Sequence, residues 1–236
     1  CLNGLGIATH MGGDYPAARD YYQQSITLAQ ANGAIRWAGL GLNNMGIAAR
    51  EMGDYPAANA AYQQALALWR ETGEKHGIGT TLNNLGNLAL NMGDYPASED
   101  YNQQALSLRR EIGDKHGIAS SLHNLGETAL SKGDYPAAHD YYQQSLTLVR
   151  EFGHKHEMAI LFANLGNVAR LQRDYPAARE HYQQGITLAR EIEHKYSVTL
   201  GLSGLAQTAL EDQHTDALPF VQEGLALSID LSLSPQ

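Results

Sequence analysis

From Gly77 to Met92 the apolar residues Ile78, Leu82, Leu85, Leu88 and Ala89 fall three and four positions apart, which is the stripe of an amphipathic helix. A second stripe, Tyr101, Ala105, Leu106 and Leu108, runs through Pro96 to Ile112 and ends at Gly113. Only Gly93-Asp94 separates them, so the two helices are joined by a tight turn and pack antiparallel. The link Gly113-Asp114-Lys115-His116-Gly117 then opens another pair, and its counterparts are Gly73-Glu74-Lys75-His76-Gly77 and Gly153-His154-Lys155-His156.

The turn is written five times. Gly13-Asp14-Tyr15-Pro16-Ala17-Ala18 recurs from Gly53, Gly93 and Gly133, and once more from Arg173. The aspartates 14, 54, 94, 134 and 174 are spaced by 40, a period that marks a stacked repeat. Glycine ends one helix in the left-handed conformation, aspartate accepts the free amide hydrogens of the next, and proline fits its first turn. No chemical partner recurs beside the aspartates, so the phrase is architectural. It divides the chain into about six helix pairs, roughly 1–36, 37–76, 77–116, 117–156, 157–196 and 197–236. No linker rich in Pro or Ser interrupts them, which predicts a single domain. Leu2-Asn3-Gly4-Leu5-Gly6 lies inside a first helix, so the first repeat is expected to be truncated and the chain to be part of a longer protein. At the far end the phrase decays to Gln213-His214-Thr215-Asp216-Ala217. Glu223-Gly224-Leu225 follows Gln184-Gly185-Ile186 by 39 residues, a one-residue deletion. A degenerate last repeat suits a cap, although Leu218, Phe220, Val221 and Ile229 equally suit packing under further helices.

Leu85-Gly86, Ala89, Gly93-Asp94-Tyr95, Ser98 and Ala105-Leu106 resemble the tetratricopeptide repeat, over essentially the whole chain. Two departures stand out: the period is 40 rather than about 34, and Leu42, Leu82 and Leu122 stand where tryptophan is frequent. The long form, with its Asn-Leu-Gly-Asn run, is similar to the repeats of the spindle-orienting scaffold, of kinesin light chains and of the sensor arms of large bacterial regulatory ATPases. The resemblance implies an all-α fold, a right-handed α-solenoid of antiparallel helix pairs. It also implies a binding module without catalysis.

Composition narrows the function classes. No stretch approaches the roughly 18 apolar residues of a membrane span, and the N-terminus lacks a basic region leading into an apolar core. The single cysteine, Cys1, excludes an internal disulfide and fits a reducing, cytoplasmic compartment. A net charge of −9 opposes binding to nucleic acid or an anionic membrane. The sequence has no phosphate-cradling loop and no nucleophile beside a base, so no cofactor and no enzymatic activity are expected. Ten histidines invite a metal, but His76, His116 and His156 are spread along the stack and His154 with His156 is only a local pair, so no metal is expected either.

In tetratricopeptide solenoids the first helices line the concave groove. Asn44, Asn84, Asn124 and Asn164 share one place on them, and a carboxamide can bond an extended peptide backbone without reading its side chains. The same ladder equally suits bonds between repeats that hold the stack together. Flanking rows set specificity: Asn43, Asn83, His123 and Ala163; Ile47, Asn87, Glu127 and Asn167; Arg50, Leu90, Leu130 and Arg170. Arg50 and Arg170 suit acidic ligand side chains. Tyr21-Tyr22, Tyr62, Tyr101, Tyr141-Tyr142 and Tyr182 match the face that packs on the first helix, and Asn102, breaking that row, predicts a softer seam. Trp37 stands where Gly77 and Gly117 follow, as a ligand anchor or a contact to a preceding helix. The expected function is a scaffold that captures an extended protein or peptide segment, the sensor or assembly arm of a larger signalling protein. The alternative is a structural spacer, or self-association through the terminal repeats.

Overall fold

The computed structural model describes residues 2–212 and 217–233, with side chains through residue 227. Cys1, the decayed turn Gln213-His214-Thr215-Asp216 and the Ile229 side chain lie outside the described residues. Every described element is an α-helix: α1 (Leu2–Met11), α2 (Tyr15–Ala31), α3 (Ile35–Glu51), α4 (Tyr55–Thr72), α5 (Lys75–Asn91), α6 (Tyr95–Glu111), α7 (Lys115–Lys132), α8 (Tyr135–Phe152), α9 (Lys155–Leu171), α10 (Tyr175–Glu191), α11 (Lys195–Asp212) and α12 (Leu218–Leu233). The chain divides into two compact units, Cys1–Thr128 and Ala129–Gln236.

The repeated phrase makes every second helix in the same way. Asp14, Asp54, Asp94, Asp134 and Asp174 each accept, at 3.1 Å, the amide hydrogen three residues on, with proline in the first turn. The preceding glycines hold φ between 76° and 81°. The fifth copy puts Arg173 there at φ 63°, and Glu193 adopts φ 55° in place of the glycine of the earlier links. The links themselves differ. Asp114 bonds the Gly117 amide at 2.9 Å, whereas Glu74 and His154 at the same place make no side-chain cap. Their lysines lie along the edge of the repeat, Lys75 on Glu111 at 2.6 Å and Lys155 on Glu191 at 2.9 Å. His76 reaches Asp114 at 3.4 Å, and the His156 ring lies tilted against His194 with centroids 4.4 Å apart.

In the first unit, each of α1 to α5 packs on the helix that follows it, and α1, α3 and α5 also touch in turn. In the second unit α8 to α12 do the same, with α9 touching α11. The glycine of the Leu-Gly pair explains how a first helix fits its own second helix. A Cβ on Gly6, Gly46 or Gly166 would come within 2.5, 2.4 or 2.9 Å of the ring of Tyr22, Tyr62 or Tyr182, so the missing side chain is where the tyrosine lies. Those rings are buried, as is Tyr142, while Tyr21, Tyr101 and Tyr141 are half-buried. On the far side, Leu82 and Leu85 of α5 pack with Tyr62 and Leu66 of α4, and Leu202 and Leu205 of α11 pack with Tyr182 and Ile186 of α10. Each seam therefore buries aliphatic and aromatic surface, at about 1.5–3 kcal/mol for each large side chain.

Candidate functional site

On every first helix one stripe stays open. Its residues are spaced seven and three apart: Leu40, Ile47 and Arg50 on α3; Thr80, Asn87 and Leu90 on α5; Ser120 and Glu127 on α7. The second unit repeats it with Ile160, Asn167 and Arg170 on α9 and Leu200, Gln207 and Leu210 on α11. All are half-buried or exposed, and the residues on either side of Ile47, Asn87, Glu127, Asn167 and Gln207 along the chain are buried. The row at Leu40, Thr80 and Ser120 carries no sequence motif; only its helical spacing to Asn43 and Ile47 marks it.

The row inside that stripe is mostly closed. Asn43 and Asn83 are buried, and each accepts a hydroxyl hydrogen from the next repeat. Thr81 Oγ1 donates to Asn43 Oδ1 at 3.0 Å and Ser121 Oγ to Asn83 Oδ1 at 3.1 Å. Asn83 Nδ2 also reaches Ser120 Oγ at 3.4 Å. These two carboxamides hold neighbouring first helices together. His123, at the same place on α7, is half-buried with Nε2 4.0 Å from Glu127 Oε1.

In the row of Asn44, Asn84, Asn124 and Asn164, the first and third reach the preceding repeat. Asn124 is buried, and its Nδ2 donates to Asn102 Oδ1 on α6 at 3.4 Å. At the equivalent place on α11 stands Gly204, where a Cβ would lie 2.3 Å from the Tyr182 ring. Asn44 Nδ2 donates to Asn3 Oδ1 at 3.1 Å. Asn84 and Asn164 are half-buried, and Asn84 Nδ2 is shielded without a hydrogen-bond partner. The Tyr62 hydroxyl, on the preceding second helix, is likewise shielded and unpartnered. Burial, with smaller opposing contributions from Arg50 and Glu51, pushes its pKa up to about 12.

The charged members are engaged within the chain to different degrees. Arg170 Nη1 meets Glu211 Oε1 at 2.5 Å, and its Nη2 donates to Asn167 Oδ1 at 2.8 Å. Arg50 lies 3.9 Å from Glu51 Oε1, whose other oxygen meets His10 Nε2 at 3.0 Å. Glu127 keeps 41% of its side chain exposed, and Asn87 Oδ1 is a shielded acceptor with no partner. Trp37 is 59% exposed and, with Leu2, Ile7 and Leu28, lines an apolar cavity of about 510 Å³.

A family model for the tetratricopeptide repeat matches residues 38–111, 77–151 and 118–191, more than half of the sequence. The chain belongs to the tetratricopeptide repeat family. No curated protein matches the sequence. Among solved structures, BtubC (BKLC) from P. vanneervenii is similar with a TM-score of 0.80 at 14% identity, covering 92% of each chain. The Signal Transduction ATPase with Numerous Domains protein with a tetratricopeptide repeat sensor, from Pyrococcus horikoshii, gives 0.79 at 15%, over 94% of this chain and 34% of that one. A Rap protein complexed with Competence and Sporulation Factor gives 0.77 at 15%, over 98% and 75%. At these identities the likeness is one of fold, an all-α array of tetratricopeptide repeats. The open stripe is one of the surfaces of each repeat that packing leaves uncovered, beside the outer faces of the second helices.

Proposed function

We propose that the protein is a non-catalytic recognition scaffold whose first-helix stripes hold an extended protein or peptide segment. The observation that carries this reading is the residue variety on the open stripe. Ile47, Asn87, Glu127 and Asn167 occupy one place in repeats whose turns and capping residues are nearly the same. Packing does not demand that variety; selective contact with a partner does. Within the first unit, side-chain rotation brings out the unpartnered acceptor of Asn87 and the unpartnered donor of Asn84 for a ligand amide, and Glu127 with His123 makes a site for a basic or polar side chain. Within the second unit, Asn164, Asn167 and Arg170 line the face, and an acidic ligand group exchanges with Glu211 for Arg170. Asn43, Asn83, Asn44 and Asn124 act in the stack. Arg50 is a rim charge. The net charge of −9 favours a protein partner over nucleic acid or an anionic membrane.

A sensor or assembly arm of a larger cytoplasmic signalling protein is the role this suits, by analogy with the sensor-bearing ATPase and the Rap complex. Self-association through the terminal repeats uses other faces and is compatible with it. The test takes the tightest peptide selected from a random display library on this chain and titrates it calorimetrically. Asn87→Ala and Glu127→Lys are expected to weaken binding about tenfold, close to 1.4 kcal/mol, without lowering the melting temperature. Asn83→Ala should lower the melting temperature and leave affinity alone. Unchanged affinity in both stripe variants overturns the reading.

A further inference from the structure

The row near the end of the first helices holds a cation at His10, Arg50 and Arg170, and for two of these the next repeat supplies a carboxylate 41 residues on. His10 Nε2 lies 3.0 Å from Glu51 Oε2, and Arg170 Nη1 lies 2.5 Å from Glu211 Oε1. For Arg50 that place is Asn91, which is exposed and neutral, and no hydrogen bond joins the two. Arg170 also donates to Asn167 Oδ1 at 2.8 Å and to the Tyr182 hydroxyl. Ile47 and Tyr62 stand at those places around Arg50. Ile47 offers no acceptor, and the Tyr62 hydroxyl, close enough to feel the Arg50 charge, is shielded without a partner. Glu51, 3.9 Å from Arg50, is already engaged by His10. Arg50 keeps 21% of its side chain exposed, and α3 has α1 and α5 packed on either side, so this is an interior place in the array.

We propose that Arg50 receives a carboxylate from the bound segment, and that the same segment carries a basic side chain to Glu127 about six residues away. This rests on the reading that the first-helix stripe is the binding face, and gives that face a charge pattern and a register. The ligand carboxylate makes the bond that Glu211 makes within the second unit. Drawing Arg50 into the Arg170 arrangement also brings its guanidinium to the Tyr62 oxygen, so the shielded hydroxyl gains the donor it lacks. At the other end, Glu127 keeps 41% of its side chain exposed, and its 4.0 Å approach to His123 Nε2 is too long for a hydrogen bond. The spacing follows from the stack. Packed helices lie about 8–10 Å apart, so α3 and α7, with α5 between them, are separated by about 20 Å, which about six residues of extended chain cover at about 3.3 Å each. Between the two charges the segment crosses the neutral Asn87. The partner class is therefore an extended segment with opposite charges in that register, not a uniformly acidic or basic one.

Calorimetric titration of the display-selected segment tests it, beside one counterpart with its acidic residue replaced by the amide and another with its basic residue moved three positions along. The selected segment should carry an acidic and a basic residue in the stated register. Loss of its carboxylate should weaken binding to the parent about tenfold and leave binding to Arg50→Gln unchanged, the coupling that a direct pair gives. Asn91→Glu, an exposed substitution, sets a carboxylate at the place of Glu211. It should melt no lower than the parent, bind the acidic segment as weakly as Arg50→Gln does, and bind the amide counterpart as the parent does. Moving the basic residue should weaken binding to the parent but not to Glu127→Gln. A segment that needs Asn87 yet has no acidic residue overturns this proposal and leaves the stripe reading standing. So does one whose carboxylate counts equally with and without Arg50. A segment indifferent to both Asn87→Ala and Glu127→Lys overturns the reading itself.

Discussion

Forty residues apart, Tyr62 and Asn102 occupy the same place on a second helix, and so do Trp69 and Arg109. All four are buried, yet the two seams they build differ in kind. The α4–α5 seam is filled by the Tyr62 ring, Leu66 and Trp69, the last lying over Gly39 and Gly77 where a Cβ would approach to 2.4 Å. The α6–α7 seam keeps Leu106 but substitutes polar groups around it. Ser98 and Thr128 share a hydrogen bond of 2.8 Å, and Asn102 accepts from Asn124. Arg109 donates to the Gly117 carbonyl at 2.6 Å and to Ser121 at 3.2 Å, and Ser121 passes its own hydrogen to Asn83. Gly79 and Gly117 flank Arg109 as Gly39 and Gly77 flank Trp69, so one backbone frame accepts either filling. The fillings are not energetically equal. Burial lowers the pKa of Arg109, opposed by Asp114, and its Nε has no hydrogen-bond partner, which marks incomplete repayment of desolvation.

The comparison breaks or sharpens under four measurements. Tyr62→Ala should cost about 3–5 kcal/mol in urea unfolding, because a large ring leaves a cavity. Asn102→Ala should cost less, about 1–3 kcal/mol, through the lost donation to the Ser98 carbonyl and an Asn124 amide left without its acceptor. Equal costs would mean that the two seams are the same in energy. Arg109→Trp, giving the polar seam the filling of the apolar one, should stabilise by about 1–3 kcal/mol in thermal unfolding, and destabilisation would show that the network outweighs its desolvation. Arg173→Gly leaves both seams alone and should stabilise by about 1 kcal/mol by relieving a left-handed backbone, which calibrates a purely local effect.

The smallest effect concerns acid. Burial lowers the pKa of His181, which stacks on Phe162 with centroids 6.2 Å apart. The unfolded chain then binds the proton more readily, so stability falls as pH drops through the ordinary value of 6.5. Replacing His181 with Phe should remove that part of the pH dependence of the melting temperature and leave the first unit's seams as they were.

Much of this was legible in the sequence. The aspartate caps and the closing glycines act through neighbours a few residues away, so spacing alone placed them, while the Leu-Gly pair, whose glycine meets a tyrosine on the next helix, was read from the resemblance. The asparagines were harder, because Asn83, Asn84 and Asn87 fall on overlapping sides of one helix. Whether each faces solvent, the next repeat or the preceding one depends on a rotation set by Tyr62 and Ser121, distant in sequence. Arg109 went unremarked because its row, Ala29, Trp69, Val149 and Ala189, has no common size or polarity. The clue lay beyond the link, where Gly77 and Gly117 follow the two bulkiest members.

That last pairing bears on how such an array can be copied by its gene. Trp69 and Gly77, or Arg109 and Gly117, are eight residues apart and fit only as a pair. A duplication with a breakpoint inside those eight residues would join a large side chain to a wrong receiving surface. A breakpoint in the Gly-Asp-Tyr-Pro turn joins identical caps and keeps each large side chain with the glycine eight residues on, while its other neighbour, Gly39 or Gly79, comes from the unit before. Whole forty-residue units are therefore best exchanged at that turn, wherever the unit before supplies the small residue that Gly39 and Gly79 supply here.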